Sequence, residues 1–277
     1  MFSILEILNG QRPTISIVDA GAMMVGDGQE IYHPLIRAGL AQVLGFEPVQ
    51  SECAKLNACR RAGHCYLPCA IGDGSRRTLH ECNFSMTSSL YEPNSALLDL
   101  YQNLGELCRV VGKQEIDTVR LDDVSEARDL DFLKLDVQGA ERDALRGAEK
   151  TLPSAVVVHT EVEFVPLYKD QPLFAEVDQE LRRHGFWFHK FTGLAGRALK
   201  PILINQDVNA TIGQLLWGEA VYIPELMRLE ALPAQKLLHL AVILHEVYHS
   251  FDTCHYVLGH YDRKTQQSYL AKLTGGR

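Results

Sequence analysis

Carboxylates stand where four apolar runs of this chain end. Asp19 closes the run 15–19, Glu47 closes 41–47, Asp73 follows 65–71, and Asp136 closes 131–136. A carboxylate at the carboxyl end of a buried strand can accept both hydroxyls of a ribose, which is a use for Glu47. Its plainer use is as a solvated loop acid beside Pro48. Asp73 can accept from an adenine amino group or make a turn with Gly74, since Asp-Gly is a common turn pair. Asp136 enters the turn Val137-Gln138-Gly139-Ala140-Glu141, where it can face a ligand or, with Glu141, stabilise the start of a helix. In the turn after Asp19, Gly21 lets backbone approach a ligand, Ala22 is nearly as small, and Gly26 ends the segment. The same residues also suit a tight turn that binds nothing. His159, Glu161 and Glu163 alternate, so an extended chain puts them on one face. There they can take a proton from a hydroxyl or face solvent.

Two other groupings suggest metals. His245-Glu246-Val247-Tyr248-His249 matches H-E-x-x-H, in which two histidines one helical turn apart hold zinc and the glutamate activates water. Leu237, Leu240, Ala241, Leu244, Tyr248 and Phe251 recur at helical spacing through the same stretch, which predicts a buried scaffold helix. Five of the seven cysteines fall between 53 and 82, near His64, but no C-x-x-C pair occurs among them. Small buried hydrophobes are the simpler reading of these residues, and no metal site is expected.

Apolar patterning supplies the elements that position the strand-end acids. Strands are predicted over 15–19, 41–47, 65–71, 131–136, 155–159, 186–191 and 217–223, with shorter ones at 77–83 and 117–121. Helices are predicted from about 31, over 48–61, from about 94, over 140–152 and 173–184, and over 233–254. The segment 192–216 reads as a long connection. This alternation implies a doubly wound α/β sheet, mostly parallel, with helices on both faces. Ligands of such sheets bind outside the carboxyl ends of the strands. The expected organisation is an N-terminal segment 1–14, one domain 15–224, and a helical extension 225–277 packed on that domain.

A chain of 277 residues, 46% of them hydrophobic, can build a large core. Its net charge of −8 and lack of basic blocks argue against a nucleic-acid partner. No uncharged apolar run reaches the ~20 residues of a membrane span. The first residues lack the basic region of a signal peptide, so the expected location is cytoplasmic. The turn 19–26 is not G-x-G-x-x-G, which disfavours a nicotinamide dehydrogenase.

Asp131-Phe132-Leu133-Lys134-Leu135-Asp136-Val137-Gln138-Gly139-Ala140-Glu141 closely resembles the signature of the FkbM-type methyltransferases. Val18-Asp19-Ala20-Gly21-Ala22 and Gly45-Phe46-Glu47-Pro48 resemble that family's two cofactor motifs. Thr160-Glu161-Val162-Glu163-Phe164-Val165-Pro166-Leu167-Tyr168-Lys169-Asp170-Gln171-Pro172 resembles its downstream segment. The resemblance implies a class I methyltransferase fold, with a seven-stranded Rossmann-like sheet whose last strand is antiparallel. It implies S-adenosylmethionine bound by Asp19, Gly21, Ala22, Gly26, Glu47, Pro48, Gly72, Asp73 and Asp136. Asp136 would sit near the sulfonium. O-methylation of a small-molecule or glycan acceptor follows, with Asp136, Glu161 and His159 expected to handle the proton. Met23-Met24 departs from the family's small or polar residues and motivates a non-catalytic cofactor-binding alternative. The H-E-x-x-H motif motivates a zinc hydrolase using His245, Glu246 and His249.

Overall fold

A computed structural model describes residues 4–8, 10, 12–23 and 30–273. Gly26 and Met24 lie outside the described residues. The central sheet contains β1 (Ile15–Ala20), β2 (Ala41–Phe46), β3 (His64–Leu67), β6 (Phe132–Leu135), β7 (Val157–Glu163), β8 (Phe186–Ala195) and β9 (Trp217–Pro224). The strand pair β4 (Arg76–Cys82) and β5 (Val110–Asp117) stands apart from it. Strand order in the sheet is β3-β2-β1-β6-β7-β9-β8. Only β9 runs against the rest, paired antiparallel to β7 on one side and β8 on the other. This is the expected seven-stranded architecture, with the last strand of the chain reversed.

Alternation along the strands divides the core. Ile15, Ile17, Phe132, Val157, Val221 and Ile223 face one layer, which is covered by the helices Ala234–Glu246 and Phe251–Thr265. Val18, Ala20, Leu133, Leu135, Val158 and Tyr222 face the other, covered by Glu141–Arg146 and Phe174–Arg183. Such strands, apolar toward both faces, are what a parallel sheet buried on both sides requires. Ile4 and Leu8 sink into the same layer as the C-terminal helices. The order reverses between β1 and β6, so a crevice opens at their carboxyl ends.

Several predicted elements differ, three of them in ways that reshape their surroundings. The short strand expected at 117–121 instead occupies 110–117, where it pairs antiparallel with β4 from Arg76↔Asp117 onward. Most of β5 is exposed, so its sequence carries little of the apolar alternation that betrays a strand. The connection expected at 192–216 begins as strand, because β8 runs on to Ala195 through register shifts at Phe188/Lys190 and Phe191/Gly193. The helix expected over 233–254 breaks after Glu246 and restarts at Phe251. His249 there is left-handed (φ 51), and the Ser250 N–H closes back on the Leu244 carbonyl at 2.9 Å, which stops a helix. Among the described residues no helix is long and apolar enough to cross a membrane.

Candidate active site

At the crevice lies a cavity of about 410 Å³. Its floor is the ends of β1, β2 and β6, its side is β7, β8 and β9, and Ser85–Leu90 beyond β4 form its roof. The first turn enters it through Gly21. This residue has φ +83, and a Cβ built on it would stand 1.8 Å from the Asp136 carbonyl oxygen. Only glycine lets the β1 turn and the β6 end lie this close. Gly21→Ala is therefore expected to cost at least about 2 kcal/mol of stability in chemical denaturation, from the left-handed backbone and the collision together. A wild-type midpoint would show that the two turns can separate at no cost. Ala22 is buried behind this turn, and Met23 lines the cavity.

Asp19 is not on the wall. It is 1% exposed and lies between the Tyr32 hydroxyl, which donates to Oδ2 at 2.6 Å, and Lys134 Nζ at 3.1 Å. Lys134 also approaches Glu30 at 3.6 Å and Asp136 at 3.9 Å. One cation thus gathers three carboxylates at the switch point. Together they hold its ammonium well above the ordinary lysine range, against the opposing effect of burial.

Glu47 and Pro48 line the cavity as expected. Glu47 accepts the Val49 N–H through Oε1 at 2.6 Å, and its other oxygen meets no donor among the described residues. Burial pushes this carboxyl up to about 7, despite the Val49 N–H. Gly72 and Asp73 do not reach the wall, which is built there by Ala70 and Ile71. Gly72 packs under Thr118, and Asp73 points into solvent. Its carboxylate is held below its ordinary range by the Ser75 hydroxyl and N–H at 2.5 and 3.0 Å. Of its two readings, the turn is the one observed.

Asp136 faces the cavity, and the helix-start role belongs to Glu141, whose Oε1 accepts the Val137 and Gly139 N–H groups. Between them Gln138, left-handed at φ 53, is a cavity residue that the sequence did not single out. Its Nε2 donates to Asp136 at 2.8 Å and Glu161 at 2.7 Å, while its Oε1 accepts the Tyr168 hydroxyl at 2.9 Å. The one available signal was its place in a strand-to-helix turn before Gly139. Glu161 is thereby held behind the turn and off the wall, and Glu163 is buried at 1% exposure. A solvent-facing position is excluded for Glu163, and Glu161 is half-buried under Gln138.

His159 does reach the cavity, with Glu219 of β9 beside it at 2.9 Å from Nε2. Glu219 was missed because no pattern around Trp217-Gly218-Glu219 marks it. Only the pairing of β9 with β7 brings it to His159. On the other side of the ring, the Tyr248 hydroxyl lies 3.0 Å from Nδ1, and burial with the Glu219 charge raises this phenol well above its usual range. Tyr248 therefore stays protonated.

The H-E-x-x-H residues do not assemble. The helix break falls inside the motif, the buried His245 packs on Phe251 with centroids 5.0 Å apart, and Glu246 accepts the Ile4 N–H at 2.9 Å. His245 Nδ1 lies 3.1 Å from Glu246 Oε1, but His245, Glu246 and His249 do not form a three-ligand group among the described residues.

The cavity wall carries Glu30, Glu47, Asp136 and Glu219 against Lys134, an acidic surface for a cationic ligand. The Gly21 cradle and the spare oxygen of Glu47 fit the nucleoside part of such a ligand. A family profile, described as the methyltransferase FkbM domain, matches residues 19–188. The 2-O-methyltransferase NoeI of Sinorhizobium fredii is 29% identical over 187 residues, 61% of this chain and 72% of that protein. Among solved structures, the magnesium protoporphyrin IX methyltransferase of Synechocystis PCC 6803 with bound SAM aligns at TM-score 0.37 and 14% identity. That alignment covers 79% of this chain and 75% of that one. A TehB-like SAM-dependent methyltransferase from Corynebacterium glutamicum aligns at TM-score 0.37 and 11% identity, over 81% and 89% of the two chains. The profile spans more than half of the 277 residues, from Asp19 of β1 to Phe188 of β8, and on that match the chain belongs to the FkbM methyltransferase family.

Proposed function

We propose that this S-adenosylmethionine-dependent methyltransferase methylates a hydroxyl oxygen of a sugar or secondary metabolite, with Glu219 as proton acceptor. The observation that carries the reading is the Tyr248–His159–Glu219 chain at the cavity wall. S-adenosylmethionine supplies an activated methyl carbon. Glu47 would hold its ribose, the turn Gly21–Ala22 with Pro48 would hold the adjoining part, and Asp136 would face the sulfonium. Asp19 acts from behind this surface through Lys134, so its part is positioning.

Removing one proton from the acceptor hydroxyl is left to the chain's own residues. A protonated Tyr248 donates to His159 Nδ1, which leaves the ring hydrogen on Nε2, donated to Glu219. The imidazole then has no lone pair for the substrate, and the carboxylate it orients does. His159 is accordingly a positioning residue and Glu219 the base. A relative named as a 2-O-methyltransferase supports transfer to oxygen.

The test is turnover with a panel of hydroxylated sugars and secondary metabolites, with the site of methylation read by mass spectrometry and NMR. Glu219→Gln is expected to lower kcat by about 10²–10⁴-fold with a much smaller change in cofactor affinity. Methyl found on nitrogen or carbon, or a wild-type kcat for the variant, would overturn the proposal.

A further inference from the structure

Behind the Gln138 turn, outside the cavity wall, three carboxylates meet. Glu141, Glu161 and Glu163 each bring one carboxylate oxygen within 4.8 Å of those of the other two. Glu141 and Glu163 are each 1% exposed. Glu163, which turns one carboxylate oxygen toward the other two residues, has its Oε2 buried with no hydrogen-bond donor, an expensive state for a carboxylate oxygen. No basic side chain among the described residues pairs with the three. Lys134 is taken by Asp19, Glu30 and Asp136, Arg142 by Glu180, and His159 by Glu219. Three carboxyl groups are thus gathered together with an orphaned oxygen and no basic partner among the described residues.

We propose that Glu141, Glu161 and Glu163 bind one hard divalent cation. The donor set is oxygen only, which suits Ca²⁺, Mg²⁺ or Mn²⁺ and not metals that prefer thiolate or imidazole. Ca²⁺ takes several carboxylate oxygens at about 2.3–2.6 Å in a flexible shell, whereas Mg²⁺, at about 2.0–2.1 Å, demands a near-octahedral one and keeps its waters, so a buried set of three carboxylates suits Ca²⁺ better. Glu141 holds the Val137 and Gly139 amides, and Glu161 holds Gln138. A cation here ties the ends of β6 and β7 together and fixes the turn that presents Asp136 to the cavity. Its role is structural, and it does not depend on which acceptor is methylated.

The full chain, dialysed against EDTA, would be titrated with CaCl₂, MgCl₂ and MnCl₂ by calorimetry, with thermal unfolding followed in parallel. The expected result is one equivalent of Ca²⁺ bound and a rise of several degrees in Tm, since a ligand of the native state alone stabilises it. Glu163→Gln is expected to weaken binding at least tenfold and to abolish the Tm response, and His249→Ala to keep both. Loss of free Mn²⁺ signal in electron paramagnetic resonance reads the site in wild-type protein without any variant. Identical wild-type Tm in EDTA and in excess of all three cations would overturn the proposal and show that the carboxyls share protons. An unchanged response in Glu163→Gln, or one lost in His249→Ala, would overturn it equally.

Discussion

Lys134→Met is expected to destabilise the protein by about 3–5 kcal/mol, the usual cost of removing one partner from a buried ion pair. Lys134 is 8% exposed and Asp19 1%, so Asp19 would be left in a dry place with, among the described residues, the Tyr32 hydroxyl as its one remaining side-chain donor. Glu30 and Asp136, at 3.6 and 3.9 Å, would lose the same cation. Methionine matches the stem of lysine in length, so the loss reads charge and not a cavity. The raised Lys134 titration means that its stabilising effect is fully present below the ordinary lysine range and is lost only as pH rises through its higher folded value. Lys134 therefore carries its charge at neutral pH. The variant should instead recover stability as pH falls and its orphaned carboxyls take up protons. Asp19→Asn added to Lys134→Met should restore part of the loss. Denaturation midpoints of the four proteins of that cycle measure the coupling, and strict additivity would show that the pair is not coupled.

S-adenosylhomocysteine is expected to bind wild-type protein more tightly as pH rises, levelling off above about 7, and to bind Glu47→Gln about 100-fold more weakly at pH 8. Two charge-assisted hydrogen bonds from ribose hydroxyls account for that magnitude. The pH dependence follows from the Glu47 carboxyl, pushed up to about 7 by burial in the free protein. Ligand hydroxyls need the ionised form, so affinity should fall about tenfold for each pH unit below that value. The linkage has the opposite sign for the ligand-free fold. A carboxyl with a raised folded pKa stabilises fully below its ordinary value, and that contribution is lost as pH rises through about 7. Ligand-induced gain in Tm should accordingly be larger at pH 8 than at pH 6. Calorimetry at pH 6, 7 and 8 checks this. A flat wild-type profile, or a variant that binds within twofold of wild type, would remove Glu47 from the ribose.

The sheet was legible because its strands are short apolar runs, each ended by a polar residue. Phe132–Leu135 is buried throughout and flanked by Asp131 and Asp136, so its span and its exit were both written in residue type. Glu47, Pro48, Gly21 and Asp136 could be found in the same way, because a strand end in such a sheet is a site by topology. Asp73 followed the same logic and failed. Its strand stops at Leu67, and the chain beyond Gly72 leaves the crevice under Thr118 toward the β4–β5 pair.

Local residue type by itself determined the fold class, the family and the strand-end acids that line the cavity, because period, turn chemistry and strand-end position are properties of a few consecutive residues. Tertiary structure alone decided the rest. It broke the 233–254 helix after Glu246, inside the H-E-x-x-H motif, and left Tyr248 on His159. It also brought Glu219 to His159 across 60 residues, put Gln138 between Asp136 and Glu161, and turned Glu141, Glu161 and Glu163 toward one another. Each of these is a distance between residues far apart in the chain. Such distances are set by strand pairing and by how two layers close over the sheet, which no window of sequence contains.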